Sequence, residues 1–122
     1  MYGEPFDTIP VEKLVALFRT ADAMHTSRVK ILKAHYNCPG HAATARELAR
    51  LVGYKSHQGI NLQYGKFVQS LAKEYADPEI LSHCQYFWLL FLMTYKNRRA
   101  THEEGLLTLR DNVVQALKEI GW

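Results

Sequence analysis

The sequence has few of the features that mark secreted, membrane-spanning or disulfide-rich proteins. Two cysteines, Cys38 and Cys84, occur among 122 residues, too few for a disulfide framework. The longest apolar run is residues 86–93, whereas a membrane-spanning helix needs about 20 residues. The first residues lack the basic and then apolar pattern of a signal peptide. We therefore expect a cytoplasmic protein with reduced thiols and no membrane association.

Motifs for catalysis and metal binding are equally scarce. Cys38 and His41 have ligand-like spacing, and His83 and Cys84 add two candidates, but zinc sites prefer paired Cys-x-x-Cys or His-x-x-x-His ligands. The sequence contains neither a nucleophile elbow nor a phosphate-cradling glycine loop. It also contains no cysteine and histidine that sequence alone can place together as a catalytic pair. The sequence thus predicts a non-enzymatic protein that uses no metal or cofactor.

The composition is that of a folded protein. Apolar residues make up 48% of the chain and charged residues 22%, which is typical of a chain with a real core. A length of 122 residues fits one domain, so we expect residues 1–122 to fold as a unit. The formal net charge of +3 permits contact with nucleic acid, but the distribution of the charge decides whether such contact occurs.

Helical periodicity dominates the N-terminal part of the chain. Apolar residues recur at helical spacing over residues 11–23, and Pro10 suits the first turn of such a helix. A second helix is predicted over residues 27–35, with Ser27 as a candidate N-cap. Residues 37–40 then end this helix, because they contain Pro and Gly.

The clearest local signal follows. Thr44 and Glu47 have the spacing of a capping box, and Gly53 stands where a glycine ends a helix. After a turn at residues 54–57, helical periodicity resumes over residues 58–74. A short helix, a tight turn and a longer helix are typical of a helix-turn-helix, although an ordinary pair of packed helices fits the same pattern.

The C-terminal part changes period. Residues 85–95 are rich in aromatic side chains and favour a buried strand, with a hydrophobic helix as the alternative. A polar tip at residues 96–99 and a second strand over residues 105–110 complete a hairpin. Asp111 is a candidate cap for a last helix over residues 112–120. The predicted class is α+β, helix-dominated, as a helix-turn-helix with a C-terminal β-hairpin wing and a final helix.

Two segments carry a family resemblance. Residues 44–54 (TARELARLVGY) and 60–66 (INLQYGK) resemble a helix-turn-helix-like domain found in bacterial proteins beside an HNH nuclease domain of restriction-type endonucleases. That family joins T-A-x-E-L-A to G-Y and N-L-Q-Y-G, and its A-L-E-x-L-G-W ending is similar to residues 115–122. The resemblance covers most of the chain after residue 25. Because no HNH segment is present, it implies a recognition or docking module of a defence-related system, without cleavage activity.

In a DNA-binding helix-turn-helix, the start of the second helix reaches base edges, and flanking cations contact phosphates. Gln and Asn can pair with adenine, and Lys can reach guanine. Taken singly, each polar residue here is better explained as solvated, but two clusters at the expected places favour binding. The predicted residues for double-stranded DNA, or for a nucleoprotein complex, are Lys55, Ser56, His57, Gln58 and Asn61, flanked by Arg46, Arg50 and Lys66, with Lys96, Arg98 and Arg99 on the wing.

One of these residues has a competing structural interpretation. Asn61 lies between Gly59 and Gly65, and the preferred interpretation is that its amide ties the turn by hydrogen bonds. Each glycine inside a helix costs about 1 kcal/mol relative to alanine. Close packing or the approach of a ligand would explain why glycine occupies these positions.

The alternative function is a protein-binding module. A phage or mobile-element inhibitor or adaptor, of the anti-CRISPR or anti-restriction type, would also be a small protein of this kind. Residues 86–95 contain more large apolar side chains than one face of a strand needs, so a partner or a second copy could cover the outer face. If no partner or second copy binds, other parts of the same domain cover both faces of this strand.

Overall fold

The computed structural model describes residues 5–23, 28–98 and 103–122. It begins with a 3-10 turn at Pro5–Thr8. The helices are α1 (Val11–Ala23), α2 (Val29–Tyr36), α3 (Ala45–Val52), α4 (His57–Tyr75), α5 (Pro78–Cys84) and α6 (Asp111–Glu119). The strands are β1 (Ala42–Thr44), β2 (Met93–Arg98) and β3 (Glu103–Leu109). The predicted helix-dominated α+β class is confirmed, whereas β1 and α5 were not predicted.

The three strands form an antiparallel sheet in the order β1–β3–β2. Leu107 of β3 lies opposite Ala43 on one side and Tyr95 on the other. The register between β2 and β3 shifts between Lys96 and Arg98. The predicted strand over residues 105–110 therefore exists, and it pairs with the strand before it. Strand β1 immediately precedes α3, so the sheet is joined directly to the two helices of the capping-box region.

The capping box positions the first of these helices. The Thr44 hydroxyl accepts a hydrogen bond from the Glu47 amide at 3.1 Å, and the Glu47 carboxylate accepts one from the Thr44 amide at 3.0 Å. Gly53 has a φ of 84°, the left-handed conformation that ends α3. The Ser56 hydroxyl accepts from the Gly59 amide at 3.3 Å and so caps α4. The two predicted helices meet at this short turn.

Residues 85–95 do not form the predicted continuous buried strand. Trp88–Phe91 form a 3-10 turn, and β2 begins at Met93. Phe91, Leu92 and Met93 are consecutive and all fully buried. Phe91 ends the 3-10 turn, Leu92 follows it, and only Met93 lies in β2, so these three buried side chains do not belong to one strand. The aromatic composition predicted burial correctly and the backbone conformation wrongly.

The predicted cap of the last helix is also wrong. Asp111 is the first residue of α6, and the cap position belongs to Arg110, whose side chain makes no capping hydrogen bond. The Arg110 side chain is buried instead, where Nε donates to the Leu90 carbonyl at 3.0 Å and Nη1 donates to Asp7 at 3.1 Å. Arg110 thereby joins the first described turn to the C-terminal part. The other candidate cap, Ser27, lies outside the described residues.

The buried side chains form one cluster, to which α1 and α6 contribute opposing faces. Leu14 and Phe18 supply the inner face of α1, and Val113 and Leu117 supply that of α6. Across the described ranges, no helix has both the length and the apolar character needed to cross a lipid bilayer.

Candidate functional site

The leading end of α4 faces solvent. Gln58 and Asn61 are exposed on its first two turns, Lys66 is exposed one turn further on, and Lys55 is exposed in the turn before the helix. His57 is half-buried. Neither the aromatic segment nor the N-terminal helices cover these predicted side chains. The start of α4 is therefore accessible to a ligand.

The flanking cations are also at the surface. Arg46 and Arg50 are exposed on α3, and Lys96 is exposed on β2. Arg98 ends β2, and Arg99 lies outside the described residues. The described cations of the predicted site therefore come from three elements, α3, α4 and β2, and from the turn between α3 and α4.

An open cleft separates the start of α4 from the β2–β3 pair. Its volume is about 360 Å³. His57 and Asn61, one helical turn apart, line one side, and Tyr95 and Leu107 line the sheet side. Phe87 completes the wall and meets the Tyr95 ring edge to face, with ring centroids 5.6 Å apart. The predicted recognition helix and the predicted wing thus border a single opening.

Charge is distributed very unevenly along the chain. Between residues 28 and 73, eight side chains are Lys or Arg, and only Glu47 is acidic. The rest of the chain has seven basic and eleven acidic residues. The modest net charge therefore conceals a strongly basic part that comprises α2, β1, α3 and most of α4. Where such side chains share a surface, their positive charge raises the local concentration of polyanions.

A buried hydrogen-bond chain holds α4 in place from behind. The Tyr64 hydroxyl on the inner face of α4 lies 2.8 Å from Nδ1 of His35 in α2, and Nε2 of His35 lies 2.8 Å from the Leu107 carbonyl in β3. A carbonyl can only accept, so Nε2 carries the proton, and Nδ1 accepts from Tyr64. Helix α2, helix α4 and strand β3 are thus tied through a single imidazole.

Burial keeps the two side chains that form these hydrogen bonds, His35 and Tyr64, neutral. It lowers the pKa of His35 to about 4, helped by the nearby His41 and partly opposed by the hydrogen bond to Leu107. Burial, with a smaller contribution from Cys38, raises the pKa of Tyr64 well above its usual value. The donor and acceptor roles are therefore constant around neutral pH.

Asn61 does not have the structural role preferred from sequence. Within residues 5–23, 28–98 and 103–122, its amide makes no hydrogen bond. Gln63, two residues further on, makes a side-chain hydrogen bond to the start of α2 and not to the turn, since its carbonyl oxygen accepts from Arg28 Nε at 2.8 Å. Asn61 therefore lines the cleft with free hydrogen-bonding capacity, and the interpretation of Asn61 as a tie is wrong.

The two helix glycines differ. A Cβ atom at Gly59 would lie 3.2 Å from the Tyr54 ring, so close packing explains that glycine. A Cβ atom at Gly65 would meet no atom within 4 Å among the described residues, so packing does not explain that one. The open position at Gly65 lies on the same helix as the exposed Gln58 and Asn61.

The candidate metal ligands are used in local contacts. His41 Nδ1 donates to the Tyr36 carbonyl at 2.6 Å, and the Cys38 thiol donates to the Ala34 carbonyl at 3.3 Å. Burial raises the pKa of both cysteine thiols. The part of the chain that the structure describes contains no group of three or more His, Cys, Asp or Glu side chains able to hold a metal ion.

Sequence reasoning missed two residues at this site. Leu62 is 54% exposed on α4, and Tyr95 is 48% exposed on β2. A signal for Leu62 was present, since it falls outside the apolar stripe that Ile60, Tyr64 and Phe67 form. No local signal marked Tyr95, because its position beside the cleft depends on strand pairing.

Comparison with known proteins identified no relative, since neither a family model, nor a curated protein, nor a solved structure matches the chain.

Proposed function

We propose that this protein is a non-enzymatic, cytoplasmic DNA-binding protein of the winged helix-turn-helix type. In this proposal α3 and α4 are the helix-turn-helix, α4 is the recognition helix, and β2 and β3 are the wing. The chain order α2, β1, α3, α4, α5, β2, β3, in which α5 and a 3-10 turn separate the recognition helix from the wing, and the sheet order β1–β3–β2 support this assignment. So does the direct passage from β1 into α3 across the capping box.

One observation carries the proposal: the exposed leading end of α4 belongs to the basic part of the chain and borders the same cleft as the β2–β3 pair. A recognition helix must enter the major groove by this end, and its surroundings must neutralise phosphates. Arg50, Lys55 and Lys66 are exposed on or beside these two helices. The resemblance of residues 44–66 to a restriction-associated domain favours a role in a bacterial or phage defence system.

A mobility-shift titration of the whole protein on random-sequence duplex DNA at two salt concentrations tests this proposal. Phosphate contacts release counterions, so affinity should fall steeply as salt rises. Undetectable binding, or binding indifferent to salt, would contradict it.

A protein-binding inhibitor or adaptor is the second candidate. Tyr86 supports it, because this aromatic side chain, two residues before the 3-10 turn, is 87% exposed. Large exposed aromatic residues are common hot spots of protein interfaces. Replacing Tyr86 with Ser should leave DNA affinity unchanged if DNA is the ligand, and should weaken only a protein complex or a homodimer.

A further inference from the structure

A large apolar side chain stands on the outer face of α4. Leu62 is 54% exposed, whereas Ile60 and Tyr64 on either side of it are fully buried. The inner face of the helix is therefore complete without Leu62. A single exposed leucine has no meaning alone, because apolar atoms are common on protein surfaces. The exposure of Leu62 becomes meaningful because of the side chains that surround it on the outer face of α4.

Residues three and four apart are neighbours on a helix surface. Leu62 is therefore flanked by Gln58 on one side and by Gly65 and Lys66 on the other, with Asn61 adjoining along the chain. The two amides have no hydrogen-bond partner within the described ranges, and the position of Gly65 opens to free space. We call these five residues the outer strip.

The chemistry of the outer strip matches one kind of base pair. Adenine offers the N6 donor and the N7 acceptor, which a side-chain amide can bind with two hydrogen bonds. The thymine paired with it offers a 5-methyl group, which a leucine can cover. A G·C pair offers no methyl group in the major groove. The strip therefore combines the two side-chain types that an A·T pair requires.

We propose that the outer strip reads A·T base pairs in the major groove, with Leu62 against the thymine methyl group and Gln58 and Asn61 as the adenine readers. Lys66 contacts the backbone beside them, and Gly65 lets the helix approach closely. This inference rests on the proposed function, since it requires DNA at α4. It adds sequence preference, which phosphate contacts alone do not provide.

The experiment compares two duplexes of alternating adenine and thymine that differ in one atom group. In the second duplex, deoxyuridine replaces thymine and so removes the 5-methyl groups. The wild type should bind the thymine duplex about fourfold more tightly for each methyl group that it covers. The L62A variant should bind both duplexes equally. The control is L51A on α3, where Leu51 is 61% exposed but lies outside the strip, and L51A should keep the wild-type ratio.

Each outcome decides a different claim. Equal wild-type affinity for the two duplexes, with salt-sensitive binding to both, overturns this inference and leaves the proposed function standing. A preference that persists in L62A overturns the assignment of Leu62. Failure to bind either of these duplexes or random-sequence DNA overturns the proposed function, and this inference with it. Because Leu62 is exposed, the thermal unfolding midpoint of L62A should stay close to that of the wild type, which excludes misfolding as the cause.

Discussion

The Tyr64 hydroxyl and Nδ1 of His35 lie 2.8 Å apart, buried where α4 meets α2. The same imidazole donates through Nε2 to the Leu107 carbonyl of β3. The orientation of α4 relative to the sheet therefore depends on two side chains that sequence spacing could not have paired.

Removing the Tyr64 hydroxyl should destabilise the protein. In Y64F, Nδ1 of His35 loses its donor in a buried site, which costs about 1–3 kcal/mol of unfolding free energy. Denaturation by urea measures this loss. Y75F on the same helix is the control, because Tyr75 is only half-buried and its hydroxyl makes no hydrogen bond within the described residues, so its effect should be much smaller. Equal losses of unfolding free energy in Y64F and Y75F would contradict a special contribution of the buried hydrogen bonds to stability.

Stability should fall in mild acid because His35 is held neutral. Its pKa is about 4 in the folded protein, against 6.5 for an unperturbed histidine, so the unfolded state binds the proton more readily. The stabilisation is complete above pH 6.5 and is lost as the pH falls toward 4, by about 3 kcal/mol for this one group. Urea titrations over this pH range measure the fall. The H35Q variant should be less stable than the wild type at pH 7, but its unfolding free energy should fall less between pH 6.5 and 4. Parallel curves of unfolding free energy against pH for the two proteins would contradict the assignment of this pH dependence to His35.

Ser56 combines a structural and an electrostatic prediction. Its hydroxyl caps α4, so S56A should lose about 1 kcal/mol of unfolding free energy. Asp is an equally good N-cap, so S56D should keep the stability of the wild type while its negative charge weakens DNA binding. The pair of variants therefore separates the fold from the site. If S56A unfolded at the wild-type midpoint, Ser56 would not be a cap.

The two helix glycines should respond differently to alanine. G65A should raise the unfolding free energy by about 0.4–1 kcal/mol, because alanine favours the helix and meets no neighbour within 4 Å. G59A should gain less or lose stability, because its methyl group would crowd the Tyr54 ring at 3.2 Å. Thermal and urea unfolding of the two variants measure the difference. A loss of stability in G65A would show that the space beside it is not open.

The sequence predicted what depends on neighbouring residues. The capping box of Thr44 and Glu47, the left-handed Gly53 and the helical stripe of α4 are all local features, so spacing alone revealed them. The candidate cations Arg46, Arg50, Lys55, Lys66 and Lys96 were also found at exposed positions, because a polar residue outside an apolar stripe is usually solvated.

The sequence did not predict what depends on distant residues. The strand β1 is only three residues long, and its pairing with β3 spans most of the chain. The 3-10 turn at Trp88–Phe91 interrupts the predicted strand, and an apolar, aromatic composition does not distinguish such a turn from a strand, because both can bury these side chains. The burial of Arg110 depends on Asp7 and Leu90, both far away in sequence.

The most direct test of the DNA-binding proposal is the slope of log affinity against log salt on duplex DNA. The triple variant R50A/K55A/K66A removes exposed cations of the basic part, and K13A/K118A is the control, because Lys13 and Lys118 are exposed outside it. We expect a negative wild-type slope, reduced in magnitude by roughly one for each phosphate-contacting residue removed, and no change in the control. The same slope for the wild type, the triple variant and the control would contradict a DNA interface on α3 and α4.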